Sequence, residues 1–333
     1  MTEIGQSART WAPNDSGETC KLCGAAYERI WSVKERRFGS EETFHVGECA
    51  RCPALILTDP PDDPGRYYPA DYPSFTNPHG TNWRAPIRRV RNRALLGRRG
   101  LLADLTQRLR PHAATPFLRR TGTTSDSRIL DVGSGAGLLL DDLADAGFRH
   151  LVGVDRFIPQ AVEGKRYRVI KGTIDDVEGQ FDLIMFHHSL EHMREQLAPL
   201  AAAARLLAPG GWLVIRLPVY PSAAWDTYHE HWFQLDVPRH EYIHSVDSLT
   251  RLVEETGLRF DGVEYDSTAQ QFAGSEGYRL GLRLTATDRY FPRAQMRDWA
   301  RQAVEINRAN RGDQGIFYFQ KPLDGSRPNI ADE

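Results

Sequence analysis

The chain has 333 residues and only four cysteines, all of them in two Cys-x-x-Cys pairs, Cys20-Lys-Leu-Cys23 and Cys49-Ala-Arg-Cys52. None is left over for covalent attack on a pyrimidine carbon. No apolar run approaches the roughly 20 residues of a membrane-spanning helix; the alanine-rich stretch at 198–208 contains Arg205 and is followed by Pro209. The formal net charge is −2, so no global field favours nucleic acid. Internal repeats and low-complexity segments are absent. The opening Met1-Thr-Glu-Ile-Gly-Gln is polar with an early acid, unlike a secretory leader, so a reducing, cytoplasmic setting is expected.

Four thiolates in two knuckles can close a tetrahedron around zinc, and a closed four-sulfur site is structural rather than catalytic. A disulfide pair and a redox dithiol are the alternatives, and the expected reducing compartment counts against the first. The reading is a zinc ribbon over residues 1–62, with Cys20, Cys23, Cys49 and Cys52 as ligands. So small a module has little hydrophobic core, and the metal would supply its stability.

The most informative stretch lies further on. Arg128-Ile-Leu-Asp131 reads as a buried strand, Val-Gly-Ser-Gly-Ala-Gly137 as a glycine loop, and Leu138 to Ala146 as a helix stopped by Gly147. A second strand, His150 to Asp155, ends on a carboxylate that could hold a ribose diol. Strand, glycine loop and helix in that order bring a ligand against bare backbone at the helix N-terminus. No Gly-Lys-Ser/Thr follows, which rules out a phosphate-cradling P-loop. Asp131 would repel a pyrophosphate, yet it suits a cofactor that carries an ammonium and a sulfonium.

Further motifs follow in order. Tyr167 to Ile170 reads as a third strand, with the acids Asp175 and Asp176 behind it. Phe181 to Phe186 reads as a fourth, running into His187-His-Ser-Leu-Glu-His192. A helix over 195–207 leads to a Pro-Gly-Gly turn and a fifth strand ending near Pro218. Ser245 can cap a helix through Glu255, and 258–265 and 316–320 would supply the last two strands. These motifs together resemble the class I S-adenosylmethionine-dependent methyltransferases. The resemblance implies a Rossmann-like α/β sheet of seven strands over residues 123–322. It implies S-adenosylmethionine held by Asp131, Gly133, Ser134, Gly135, Gly137 and Asp155, with Asp175 and His187 near adenine and methionine. Singly, each acid could be a loop acid or a helix cap, and His187, His188 and His192 could be a solvated strand end.

Between the ribbon and the sheet lies a connector, residues 63–122. It contains an aromatic, proline-rich segment, Tyr67-Tyr-Pro-Ala-Asp-Tyr-Pro73, and an arginine-rich segment at 84–110. Ile87, Val90, Leu95, Leu101, Leu102, Leu105 and Leu109 recur there at roughly helical spacing. A basic amphipathic helix could meet phosphates or an anionic membrane surface; it reads more simply as the arginine-rich face of a lid over the cofactor pocket. Residues 323–333 read as a polar tail.

The insertion after the fifth strand, Trp225 to Ser245, should decide the chemistry, because ligands of open α/β sheets bind beyond the carboxyl ends of the strands. Its histidines and acids suggest an acceptor pocket. His240 and His231 are the candidate acceptor-side bases, with Asp236 and Arg239 orienting them. Alternatively Trp232, Phe233 and Leu235 pack the lid while the histidines face water. The ribbon, the Tyr-Tyr-Pro…Tyr-Pro pattern, the Trp232-Phe-Gln-Leu-Asp-Val-Pro-Arg-His240 segment and Asp266-Ser-Thr-Ala-Gln-Gln-Phe272 resemble a bacterial branch of zinc-ribbon-bearing methyltransferases of polysaccharide and specialised-metabolite pathways. That resemblance implies a small-molecule or glycan acceptor, most simply a sugar-like hydroxyl. Tyr228-His-Glu-His231 is similar to a segment of deoxysugar C-methyltransferases, although Trp-Phe-Gln-Leu-Asp departs from that branch, so carbon stays open as the acceptor. Ring-nitrogen methylation of ribosomal RNA is the nucleic-acid alternative; against exocyclic-amine methylation, no Asn/Asp-Pro-Pro-Tyr follows the fourth strand. A ribbon-plus-sheet binding module that kept the fold without activity would not need Asp131, Gly133, Gly135 and Asp155, and all four are present.

Overall fold

The fold was obtained as a computed structural model, which describes residues 19–40, 42–69, 74–75, 85–93, 112, 114–164 and 166–323. Two sheets organise these residues. The larger has eight strands: β4 (Arg128–Val132), β5 (His150–Asp155), β6 (Val162–Glu163), β7 (Arg168–Lys171), β8 (Phe181–His187), β9 (Leu207–Pro218), β11 (Arg259–Tyr265) and β12 (Gln314–Gln320). Their order is β11-β12-β9-β8-β4-β5-β7-β6. Strands β7, β5, β4, β8 and β9 run parallel, and β12 lies antiparallel between β9 and β11. The expected seven strands are all there, and the two-residue β6, antiparallel to β7, adds an eighth at the edge.

Both faces of this sheet are buried, as parallel strands require. Consecutive residues divide between two cores: Leu130, Ile184 and Phe317 face one, while Ile129, Leu183 and Ile316 face the other. The helix Leu138–Ala146 inserts Leu140 and Leu143 into the second core, and Gly147 ends it in the left-handed conformation, φ 107°. The helix Val246–Glu254 begins on a capping box made by Ser245 and Ser248, and it places Leu249 and Val253 in the first core. Strands β4, β5 and β8 end together, which sets Asp131, Asp155 and His187 along one edge.

The smaller sheet corrects the expected domain boundary. Strands β1 (Arg29–Lys34), β2 (Thr43–Cys49) and β3 (Ala54–Leu57) belong to the cysteine module, but the fourth strand, β10 (Tyr242–His244), comes from the insertion after β9. It pairs antiparallel with β3, Tyr242 opposite Ile56. Val33, Phe44 and Leu55 of the ribbon share one core with Trp225, Trp232, Leu235 and Ile243 of the insertion. Ribbon and insertion therefore form one packed unit.

Where it is described, the arginine-rich part of the connector is an α-helix over Ala85–Asn92. Over Ala85–Asn92, Val90 is 70% exposed, while Asn92 is buried. Arg88 pairs with Asp141 (2.7 Å) and Asp145 (2.8 Å), and Arg89 reaches Asp145 (3.3 Å), so this turn docks on the helix that follows the glycine loop. Arg166 pairs with the same two acids from the other side. For Arg88 and Arg89 the partners are carboxylates of the chain itself. The rest of the arginine-rich segment, 94–110, and the tail 324–333 lie outside the described residues.

Candidate active site and metal centre

The carboxyl ends of β4, β5 and β8 open into a cavity of about 940 Å³ that runs from the glycine loop to the insertion. Such a volume lies at the upper end of small-molecule sites. Val132, Gly133, Asp155 and the segment Gly172 to Asp175 line one end; Gln234, Asp236, His240 and Gln271 line the other, with His188 and His192 between them.

At the cofactor end the glycines are needed by the chain's own packing. A side-chain carbon on Gly133 would stand 2.3 Å from Ser189 Cβ, and one on Gly137 2.6 Å from the Tyr167 ring. On Gly135 it would stand 2.1 Å from the backbone oxygen of Ser74. That oxygen accepts a 2.7 Å hydrogen bond from the Ala136 amide, so the connector lies directly on the loop. Ser134 packs its hydroxyl against Gly153. The Asp155 carboxylate accepts hydrogen bonds from the Gly135 amide (2.9 Å) and the Phe157 amide (2.8 Å), and it lines the cavity.

Asp131 is 3% exposed, and among the described residues its Oδ1 has no hydrogen-bond partner. Burial first and the Asp155 charge second push its carboxyl up to about 7. A buried, unsatisfied acid is costly unless a ligand completes it. The ammonium of S-adenosylmethionine is a fitting complement in charge and hydrogen-bond donors, and in that sense the residues present fit the cofactor. Asp175 stands at the cavity rim, largely exposed, 3.6 Å from Arg205. His187 is displaced from its expected role: its Nε2 lies 3.4 Å from Arg216, and the next residue, His188, is the one that faces the cavity. The cause is alternation along β8 followed by a left-handed residue, His188 at φ 54°.

At the acceptor end the four expected residues separate. Asp236, Arg239 and His240 come together. Arg239 donates to Asp236 (2.7 Å) and to Glu35 (2.8 Å), and Arg37 donates to Asp236 (3.1 Å). These charges hold the Asp236 carboxyl far below its ordinary range despite its burial. Asp236 itself is left-handed at φ 36°, a conformation the guanidinium contacts hold in place. His240 Nδ1 lies 2.7 Å from the Gln234 carbonyl oxygen and Nε2 lies 3.8 Å from Asp236. A carbonyl only accepts, so the Nδ1 carries the proton and Nε2 keeps its lone pair. Burial and His192 push His240 down to about 4, so it is a neutral imidazole and a weaker base than its sequence type suggests. His231 lies outside the cavity, with Nδ1 3.6 Å from Glu230, because the 3-10 turn His229–His231 points it away.

Several residues without an assigned role from sequence join the site. Glu191 is fully buried inside the Leu-Glu-His motif. Its Oε1 accepts from His188 Nδ1 (3.1 Å), and its Oε2 has no partner among the described residues. Gln271, 1% exposed, has neither amide atom bonded and lines the cavity. Asp313 accepts from Trp232 Nε1 (3.0 Å), and burial pushes it up to about 6. Tyr68 of the connector stacks on Phe157 (5.5 Å) and reaches His192 Nδ1 (3.2 Å). Gln271 and Tyr68 lie in segments that carry the resemblance, but local sequence gives neither a role; the fold brings them inward.

The cysteine centre is as the spacing suggests. The four side chains are brought together, with Cys20 and Cys52 sulfurs 3.4 Å apart, those of Cys23 and Cys49 3.5 Å apart, and all four within 4.8 Å. These separations exclude disulfides in this arrangement, and they approach the edge of a zinc–sulfur tetrahedron, about 3.8 Å for bonds of about 2.3 Å. Leu22, Ala54, Ile56 and Tyr242 wall the cluster, so Tyr242 of the insertion closes the ribbon's metal end.

A family model described as a methyltransferase domain matches residues 97–261. Residues 97–261 therefore carry a domain of the class I S-adenosylmethionine-dependent methyltransferases. The chain is 31% identical over 121 residues to a ubiquinone biosynthesis O-methyltransferase of Xylella fastidiosa strain M23, a match covering 31% of this chain and 48% of that protein. It is 27% identical over 125 residues to the protein of that description from Aromatoleum aromaticum, covering 32% and 53%. The chain thus spans about half the length of the curated relatives it matches. A solved S-adenosylmethionine dependent methyltransferase from Mesorhizobium loti aligns over 63% of this chain and 98% of its own, with 15% identity and a TM-score of 0.42. Among the described residues no helix is long and apolar enough to cross a membrane.

Proposed function

We propose that this methyltransferase transfers a methyl group from S-adenosylmethionine to a small polar acceptor, most simply a hydroxyl of a sugar-like or specialised metabolite. The observation that carries the proposal is a cavity with Gly133 and Asp155 at one end, next to the buried Asp131 whose Oδ1 has no partner among the described residues, and with the unpartnered amide of Gln271 and the half-satisfied imidazole of His240 at the other. An apolar acceptor would leave those groups desolvated and unmatched, at about 1–3 kcal/mol each. Asp131 would hold the cofactor's ammonium, and Asp155, with Gly133 and Ser134 on the loop, its ribose side; Asp175 stands at the adenine end. S-adenosylmethionine supplies an activated methyl on a sulfonium.

The chain's own residues place the acceptor. His240 offers its Nε2 lone pair as a hydrogen-bond acceptor to the hydroxyl, and Asp236 and Arg239 position that imidazole. In-line placement of this kind accounts for up to about 7–11 kcal/mol of a displacement barrier. The four cysteines would hold zinc as a structural ion. Carbon methylation of a deoxysugar-like acceptor remains the second reading within the same cavity. The docking of Arg88 and Arg89 on Asp141 and Asp145 favours a small molecule over an RNA backbone, since those two arginines are occupied within the chain.

The test is transfer of a labelled methyl group from S-adenosylmethionine into fractionated cell extract, with and without nuclease. Label in a nuclease-resistant small-molecule or glycan fraction is expected. Label lost on nuclease treatment would overturn this reading in favour of RNA.

A further inference from the structure

Two histidines that line the cavity and a buried carboxylate behind them are arranged as cation ligands. Glu191, His192 and His240 each bring one ligand atom within 4.8 Å of the other two. Glu191 is 0% exposed, and its Oε2 is unpartnered among the described residues. Its other oxygen is already fixed by a directional chain. Arg216 donates to Asp266 (2.7 Å) and to His188 Nε2 (2.6 Å), which leaves the His188 proton on Nδ1, facing Glu191 Oε1 at 3.1 Å. A fully buried carboxylate with one oxygen unmatched calls for a positive partner.

The two imidazoles are prepared in the same sense. His192 Nδ1 lies 2.8 Å from the Arg239 carbonyl oxygen, and His240 Nδ1 2.7 Å from that of Gln234. Each Nδ1 therefore donates, and each Nε2 presents a lone pair. Metal-binding histidines are held in this way, by a carbonyl or carboxylate on the far ring nitrogen. Their rings stand 4.6 Å apart, centroid to centroid.

We propose that Glu191, His192 and His240 form a second metal site, distinct from the four cysteines, which takes a first-row divalent cation such as zinc. Two imidazoles and one carboxylate form the donor set of open, catalytic zinc sites, and they suit calcium or magnesium poorly. Metal–ligand bonds of about 2.0–2.2 Å would draw the three atoms inward by about an ångström. The remaining positions of the ion face the cavity, where an acceptor oxygen could bind. This deepens the reading above, with the cation taking the His240 lone pair and holding the acceptor oxygen in its place, and it rests on that reading for the reaction alone. A cation-bound hydroxyl gives up its proton to water more readily; the oxygen–carbon bond then forms as the carbon–sulfur bond breaks, and the thioether leaves with the sulfonium's charge neutralised.

The experiment adds cobalt(II) to protein that carries one zinc per chain, held by the cysteines, and follows weak visible absorption and calorimetric heat. One further equivalent is expected to bind. Glu191→Gln should weaken that binding at least tenfold while S-adenosylhomocysteine affinity and thermal unfolding stay close to those of the parent. If Glu191→Gln does not fold, His240→Asn carries the same test. No binding beyond the cysteine-held ion, or equal binding by a folded variant, would overturn the proposal. Because S-adenosylhomocysteine binding is measured without added cation, failure of the methyltransferase reading would be seen separately.

Discussion

Arg37, in the turn that follows the ribbon's first strand, donates to Asp236 of the acceptor lid at 3.1 Å, and beside it Glu35 accepts from Arg239 at 2.8 Å. Glu35 and Arg239 are each about 1% exposed. The ribbon therefore braces Asp236 and Arg239, the residues proposed to position the acceptor.

One consequence concerns Glu35. Its removal would strand the Arg239 guanidinium in a buried site, and breaking a buried pair costs roughly 3–5 kcal/mol. Glu35→Ala is expected to lower the stability of the lid and to reduce methyl transfer by an order of magnitude or more, while S-adenosylhomocysteine affinity changes less than about threefold. Denaturant unfolding and calorimetry on one preparation check both halves. Equal loss of cofactor affinity would show that the brace acts on the whole fold.

The cysteine metal should act through the same brace. Tyr242, whose strand pairs with β3, also walls the cysteine cluster, so extracting the ion loosens β10 as well as the ribbon. Chelation is expected to raise amide exchange in β3 and β10 and around Asp236, leaving β4 and β5 protected. Uniform exchange across both sheets, or none, would contradict this.

Asp131 gives cofactor binding a pH dependence. Its carboxyl is raised to about 7 by burial and by Asp155, so near pH 6 the folded protein carries it mostly protonated. The ammonium of the ligand needs the ionised form. Affinity should therefore rise with pH through about 7 and level off above it. The sign for stability is the opposite: a raised carboxyl favours the folded state at low pH and costs stability as pH climbs toward 7. Calorimetry with S-adenosylhomocysteine should find binding roughly tenfold weaker near pH 6 than on the plateau, from the ionised fraction alone. Asp131→Asn should bind weakly at every pH, with the slope gone.

Much of the cofactor end was legible because its chemistry is local. The glycines at 133, 135 and 137, the acids at 131 and 155, and the cysteine knuckles occupy short windows whose spacing follows from strand, loop and helix geometry. The acceptor end was legible only in part. Asp236, Arg239 and His240 do come together, but His231, nine residues before His240, is turned out by a single 3-10 turn. His187 lost its place to His188 because a strand alternates and the following residue is left-handed. Glu35, Gln271 and Glu191 owe their positions to contacts between segments far apart in sequence, which periodicity does not report. The ribbon's fourth strand escaped notice for the same reason: Tyr242–His244 is too short to signal a partner nearly two hundred residues earlier.

The glycine loop offers the sharpest local test. Ala136 donates its amide to the Ser74 oxygen at 2.7 Å, and a side chain on Gly135 would lie 2.1 Å from that same backbone atom. Gly135 is also left-handed at φ 54°, which costs a non-glycine residue roughly 1–2 kcal/mol. Asp155 adds a third constraint, since its carboxylate accepts from the Gly135 amide at 2.9 Å. Gly135→Ala must therefore push the connector off the loop, and Asp155→Ala must release the loop from below. Both are expected to weaken S-adenosylhomocysteine binding at least tenfold. Only Gly135→Ala should also expose the connector around residue 74 to limited proteolysis, because only it displaces Ser74. Cleavage at that point in both variants would mean that Asp155, and not the missing side chain at 135, keeps the connector closed.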